Sequence, residues 1–206
     1  MILNKPNKYE EVQVNLDFEK LEVGGHKGII KDVTEYTSEV SGKTSLKVEV
    51  DTASDDKQPN FYQKQYNENT NMDKKWSSAA TKYVPIGSEE NQIKLLKAFI
   101  TAVENSNPNF TYDWSKDINQ LKGKKVGLVF GLEEYTKQDG TIGLATKLNQ
   151  FRSIDKVDNA KIPKVKLIDG SLIEYEIYNS RKDNTTTSSD SFADSDVVEI
   201  TDDILD

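Results

Sequence analysis

Polar and apolar positions alternate with period two over much of the stretch from Gly28 to Ile154, and a helical period interrupts them once. Gly28 to Tyr36 (GIIKDVTEY) reads as a strand. In the next, Leu46, Val48 and Val50 share one face and Lys47 and Glu49 the other, the pattern of a half-buried sheet strand. Ser41-Gly42-Lys43 between them is hairpin-turn sequence. A third strand is expected at Phe61 to Tyr66, after a loop over Ala53 to Asn60. From Ser88, an N-capping residue followed by Glu89 and Glu90, apolar side chains recur at Ile93, Leu96, Ile100 and Val103, which predicts a helix. Asn105-Ser106-Asn107-Pro108 ends it. Lys125 to Tyr135 and Ile142 to Ile154 then read as an antiparallel pair about the turn Gln138-Asp139-Gly140.

Three segments are less regular. Residues 1–23 form a mixed, polar extension with a short alternation at Val12, Val14 and Leu16. Residues 67–87 are irregular and longer than a passive connection usually runs, which favours a functional loop or an extra β excursion. Residues 156–182, with Pro163, an Asp169-Gly170 turn and alternation from Leu172 to Tyr178, read as an extra hairpin or an arm. The order of three strands, one helix and two strands is that of the OB-fold, a Greek-key barrel that often binds oligonucleotides. The expected architecture is therefore mainly β. It is a five-stranded OB-fold-like Greek-key barrel over residues 24–155, with one helix between strands 3 and 4, the arm at 156–182, and a disordered acidic tail at 183–206.

Charge changes the picture most at that tail. Residues 183–206 (DNTTTSSDSFADSDVVEITDDILD) hold eight acids and no Lys or Arg. Removing these eight from the 35 acids of the chain leaves 27, equal to its 27 Lys and Arg, so the net charge of −8 belongs to the tail and the body is neutral. So polar a run has too little apolar surface to offset its ordering entropy. Val197, Val198, Ile200, Ile204 and Leu205 nevertheless sit among the acids, as in a peptide made for a partner's pocket. Asp202, Asp203, Ile204 and Leu205 are its candidate partner-binding residues.

Composition narrows the chemistry. No cysteine means no disulfide, thiol catalysis or thiolate zinc site, and the single histidine, His26, removes most His-based metal sites. The paired acids Asp55-Asp56, Glu89-Glu90, Glu133-Glu134 and Asp202-Asp203 fall in no metal motif. The expectation is a non-enzyme without cofactor. No apolar leader and no run near the ~20 residues of a membrane helix are present, so a soluble, cytoplasmic protein with no membrane partner is expected, in the host cytoplasm if phage-encoded.

Candidate contacts to nucleic acid are bases beside aromatics. On a strand, Tyr62, Lys64 and Tyr66 would share a face. Rings stack on successive bases at ~1–3 kcal/mol each, and an ammonium meets the phosphate between them. An ordinary strand with Phe61 in the core reads equally well, because Tyr and Phe favour strands. Lys74-Lys75-Trp76 and Lys82-Tyr83 repeat the pairing, although Trp76 alone is as readily a plug for the end of the barrel. Lys122, Lys124 and Lys125 surround Gly123, and alternation puts Lys147, Asn149 and Phe151 on one face beside Arg152, with Leu144, Thr146 and Leu148 in the core. The nucleic-acid candidates are thus Tyr62, Lys64, Tyr66, Lys75, Trp76, Lys82, Tyr83, Lys124, Lys147, Phe151 and Arg152. Only two arginines occur in the chain, Arg152 and Arg181, which argues against base-edge reading, where Arg is the usual partner of guanine.

Taken together, a single helix followed by Leu121 to Val129 (LKGKKVGLV) and a strand pair, with an acidic C-terminal tail, resembles the phage-type single-stranded-DNA-binding proteins. The resemblance implies sequence-independent binding of single-stranded DNA in replication, recombination or repair. It also implies a tail that recruits replication or recombination proteins. The ending Asp202-Asp-Ile-Leu-Asp206 keeps acid with apolar but lacks the terminal Pro-Phe of bacterial single-strand-binding proteins. The alternative is a phage β-rich structural or assembly protein that binds no nucleic acid. The sequence does not fix the oligomeric state, a homodimer being one arrangement it permits.

Overall fold

The computed structural model describes Lys5, Asn7 and residues 19–186, with 182–186 as backbone. The alternation at Val12, Val14 and Leu16, and the tail candidates Asp202, Asp203, Ile204 and Leu205, lie outside the described residues.

Two long hairpins make most of the sheet. β1 (Gly24–Thr37) pairs antiparallel with β2 (Thr44–Thr52). β4 (Lys125–Thr136) pairs antiparallel with β5 (Ile142–Arg152). Gly42 and Gly140, at φ 65° and 80°, supply the left-handed backbone the two connecting turns need. The first halves of β1 and β4 join the hairpins, from Gly24 opposite Phe130 to Ile29 opposite Lys125. β3 (Thr81–Pro85) adds to the far side of β2, with Val84 opposite Leu46 and Lys82 opposite Val48. β6 (Val165–Lys166) meets β4 in parallel at Glu133 and turns into β7 (Leu172–Ile173). The result is a mainly β protein built on a mixed seven-stranded sheet. β3 is bonded to β2 and β5 to β4, so the sheet does not close on itself.

The core lies where the inner faces of the hairpins meet a helix. Ile30 and Val33 of β1, Val48 and Val50 of β2 and Val126, Leu128 and Phe130 of β4 are all but inaccessible. A bulge between Ile30 and Asp32 shifts the alternation of β1 by one residue, so Ile30 and Val33 both face inward. Helix α2 (Glu90–Ser106) brings Phe99, Ile100, Ala102 and Val103 onto this surface. Its stripe meets the core from Leu96 onward, and Ile93 at the start stays exposed.

One predicted strand is a helix. Residues Phe61–Glu68 form α1, and β3 comes later, at Thr81–Pro85, inside the segment read as irregular. Phe61 and Tyr62 are both buried, which neighbours on a strand facing one core cannot be but neighbours on a helix can. The decisive contacts are non-local. Asn60 precedes the helix with φ 53° and gives no side-chain cap. The end of β2 caps it instead: Thr52 Oγ1 accepts from Phe61 N at 2.9 Å, and the Asp51 carboxylate accepts from Tyr62 N at 2.9 Å and Gln63 N at 3.2 Å. Free helical amides are thereby satisfied inside the core. The expected count of five strands and one helix therefore becomes seven strands and three α-helices among the described residues. The third helix, α3 (Tyr175–Thr186), follows the 165–173 hairpin and carries four residues of the segment read as disordered.

Candidate nucleic-acid interface

β3 has one free edge, and β5 has another. They border a cavity of about 340 Å³ that α2 closes from below, with Lys82, Tyr83 and Val84 on one side, Asn149, Phe151 and Arg152 on the other, and Leu95, Ala98 and Phe99 as floor. No Asp or Glu lines it.

Alternation along β3 divides its side chains. Val84 and Lys82 point inward, opposite Leu46 and Val48, while Tyr83 points outward opposite Lys47. Lys82 is consequently half-buried at an apolar edge, and burial pushes its ammonium below the ordinary lysine value against the opposing field of Glu133. It has no ion pair among the described residues. Tyr83 is 47% exposed, and its ring lies 5.0 Å from that of Tyr36 on β1, at an interplanar angle of 55°.

A second hollow continues outward from Tyr83 across β2 and β3 and is bounded by Lys47, Lys75 and Trp76. Trp76 is fixed there by its indole N–H, which donates to the Val50 carbonyl at 3.1 Å, and by Tyr66, whose ring lies at 5.8 Å. Lys31 and Lys74 stand over the Trp76 and Tyr66 rings. Lys47 is already paired with Glu49, so a phosphate there would compete with a carboxylate. A third hollow, above the cavity, runs from Lys82 to Lys147, Lys164 and Lys166. Its one acid, Glu133, binds Lys147 at 3.0 Å and Lys166 at 2.8 Å, and these two hold its carboxyl below the usual range.

Seven of the candidates read from the sequence therefore collect around β3: Lys75, Trp76, Lys82, Tyr83, Lys147, Phe151 and Arg152. The other four do not line these hollows. Tyr62 is in the core, its ring against Phe61 and Phe130, with burial pushing its phenol upward. Lys64 is exposed on α1, and Tyr66 serves as packing for Trp76. Lys124 covers the Phe110 ring, with its backbone carbonyl bonded to Ile30. The face shared by Lys147, Asn149 and Phe151 is also broken. Phe130 pairs with Leu148 and Val129 with Gln150, so Asn149 is an extra residue on β5. That bulge turns Phe151 inward opposite Leu128, where its ring meets Phe99 at 4.6 Å.

Sequence reading missed Tyr36, Lys47, Lys164 and Lys166. Alternation in β1 and β2 marks Tyr36 and Lys47 as outward residues, but their neighbours become visible only once residues 81–85 are recognised as a strand.

No protein-family model matches the chain, and no curated protein matches it in sequence. Among the described residues no group of three or more His, Asp or Glu side chains could hold a metal ion, and no helix is long and apolar enough to cross a membrane.

Proposed function

We propose that this chain is a non-catalytic, sequence-independent single-stranded-DNA-binding protein, acting where DNA is replicated, recombined or repaired. The strand runs along β3, between the outward face of β2 and β3 and the cavity at the edge of β5. The observation that carries the reading is the cavity itself: aromatic and basic side chains from two distant segments converge on it, and no carboxylate does. An acid-free surface is notable on a body whose acids and bases are equal in number. Tyr36 and Tyr83 offer faces to bases, and Lys82, Lys75 and Arg152 offer charge to phosphates. That combination binds single strands without selecting sequence.

The connectivity supports an OB-like reading of the body. β1 pairs with both β2 and β4, β3 lies outside β2, β5 lies outside β4, and α2 connects β3 to β4. We read this as the strand order of a five-stranded Greek-key barrel opened at the β3–β5 seam, with 156–182 added beside β4. In such barrels the face of strands 2 and 3 is the usual oligonucleotide platform. The acidic C-terminal segment, with Asp202, Asp203, Ile204 and Leu205, is assigned to recruitment of replication or recombination proteins on the strength of its sequence.

Fluorescence anisotropy of labelled oligo-dT and of a duplex of equal length, titrated with the full chain over a range of salt, tests the reading. Binding that favours the single strand and weakens with salt is expected. Equal binding of both, or of neither, would overturn it.

A further inference from the structure

The cavity beneath β3 does not end at Arg152. Ala98, Phe151 and Arg152 also wall a second groove, of about 400 Å³, which runs between α2 and the turn after β5. On the helix side it is lined by Lys94, Lys97, Thr101 and Asn105, which recur at helical spacing and form one polar stripe. Lys156 and Ser153 line the opposite side. No Asp or Glu is among the lining residues.

Resting on the single-strand reading above, we propose that this groove is a second phosphate track, which takes the backbone of the same strand after it leaves β3. Three features support a polyanion there. Lys97, Arg152 and Lys156 have no ion pair among the described residues, whereas Lys47, Lys57, Lys122, Lys147 and Lys166 each hold a carboxylate. Lys94 is paired with Glu90, but Glu90 lies outside the groove. The floor is small, Ala98 and Ala102, so a backbone can approach closely. The walls are fixed to each other: Asn105 Nδ2 donates to Ser153 Oγ at 3.4 Å, and Ile154 N donates to Ser106 Oγ at 3.0 Å. A fixed groove loses little freedom on binding.

The chemistry favours a nucleic-acid strand over an acidic peptide. An acidic, apolar peptide needs pockets for its side chains, and apart from Phe151 this groove offers only alanines, a threonine, a serine, an asparagine and bases. Basic side chains along both walls of a narrow, small-residue floor match a phosphodiester backbone.

The test uses the full chain and the Lys97→Ala/Lys156→Ala variant, which leaves the side chains around β3 intact. Labelled oligo-dT of about 6 and about 20 nucleotides lies near the lower end and beyond the upper end of single-domain site sizes. The variant is expected to bind the short oligonucleotide as the unsubstituted chain does. On the long one it should bind several-fold more weakly, with a log–log salt slope shallower by about 1.4, the value for two lost phosphate contacts. Lys97→Arg/Lys156→Arg should restore the slope. If both oligonucleotides bind and the slope on the long one is unchanged, the second track is wrong and the first site stands. Equal losses at both lengths would also overturn it, because the groove would then belong to the first site. No binding of either length by the unsubstituted chain would sink the single-strand reading itself. A labelled peptide of alternating Asp and Leu that binds more tightly than the long oligonucleotide, and is lost in the alanine variant, would reassign the groove to a protein partner.

Discussion

Tyr36 and Tyr83 place their rings 5.0 Å apart although their strands do not pair with each other. β2 lies between them, with its Ser45 opposite Tyr36 and its Lys47 opposite Tyr83. Both are exposed, at 43% and 47%. Two rings held at the surface by each other form a platform on which a base can stack without first ordering a side chain. Replacing both with alanine is expected to weaken oligo-dT binding by about 1–3 kcal/mol, roughly five- to 150-fold. The midpoint of urea unfolding should shift little, because neither ring is in the core. Unchanged affinity by anisotropy would remove Tyr36 and Tyr83 from the interface.

Lys82 gives binding a dependence on pH. Burial lowers its value in the free protein, while a phosphate alongside favours the ammonium. Above the free-state value, binding must take up a proton, so affinity falls as pH rises and does so earlier than for an ordinary lysine. Lys82→Arg stays charged throughout. As pH rises above neutral, the unsubstituted chain should begin to lose affinity at lower pH than the arginine variant does. Parallel profiles would mean that Lys82 does not meet the phosphate.

Asp51 ties the start of α1 to β2. Its carboxylate serves the amides of Thr52, Tyr62 and Gln63 in a buried place. Asp51→Ala should cost about 1–3 kcal/mol for each amide left without a partner, and Asp51→Asn, which keeps one acceptor oxygen, should cost less. Burial raises the Asp51 value despite these three hydrogen bonds. A raised carboxyl contributes stability that is full below its unfolded value of about 3.9 and is lost as pH rises through the folded value. The difference in stability between the unsubstituted chain and Asp51→Asn should therefore narrow from acid toward neutral pH. Urea titrations at several pH values measure it, and a widening gap would contradict the assignment.

What the sequence revealed depended on whether the determining contact was local. The two long hairpins were legible because Gly42 and Gly140 sit in turns between clean alternations, and β1, β2, β4 and β5 fall close to where those alternations put them. α2 was legible from its apolar stripe, although its N-cap is Glu89 and not Ser88. α1 was not, because its N-terminal amides are capped by Asp51 and Thr52 of another element, while Phe61, Tyr62 and Tyr66 locally favour a strand. Mistaking α1 for a strand hid β3, which is short, ends in Pro85 and follows an irregular loop. Pairing bases with aromatics still singled out Lys82, Tyr83 and Trp76, which the structure places around β3, since that signal needs no secondary structure. It failed for Tyr62, whose burial depends on α1, and it misdirected Phe151, because nothing local announces the bulge at Asn149.

The most direct measurement of where a strand lies is photochemical crosslinking. Oligo-dT carrying 5-iododeoxyuridine at single positions would be irradiated with the full chain, and the attached peptides identified by mass spectrometry. The account predicts attachment to peptides from β3 and its surroundings, at Tyr83, Tyr36, Trp76 or Phe151, and competition by unlabelled single strand but not by duplex. Attachment confined to α1 or to the 165–173 hairpin, or none above a non-binding control, would contradict it.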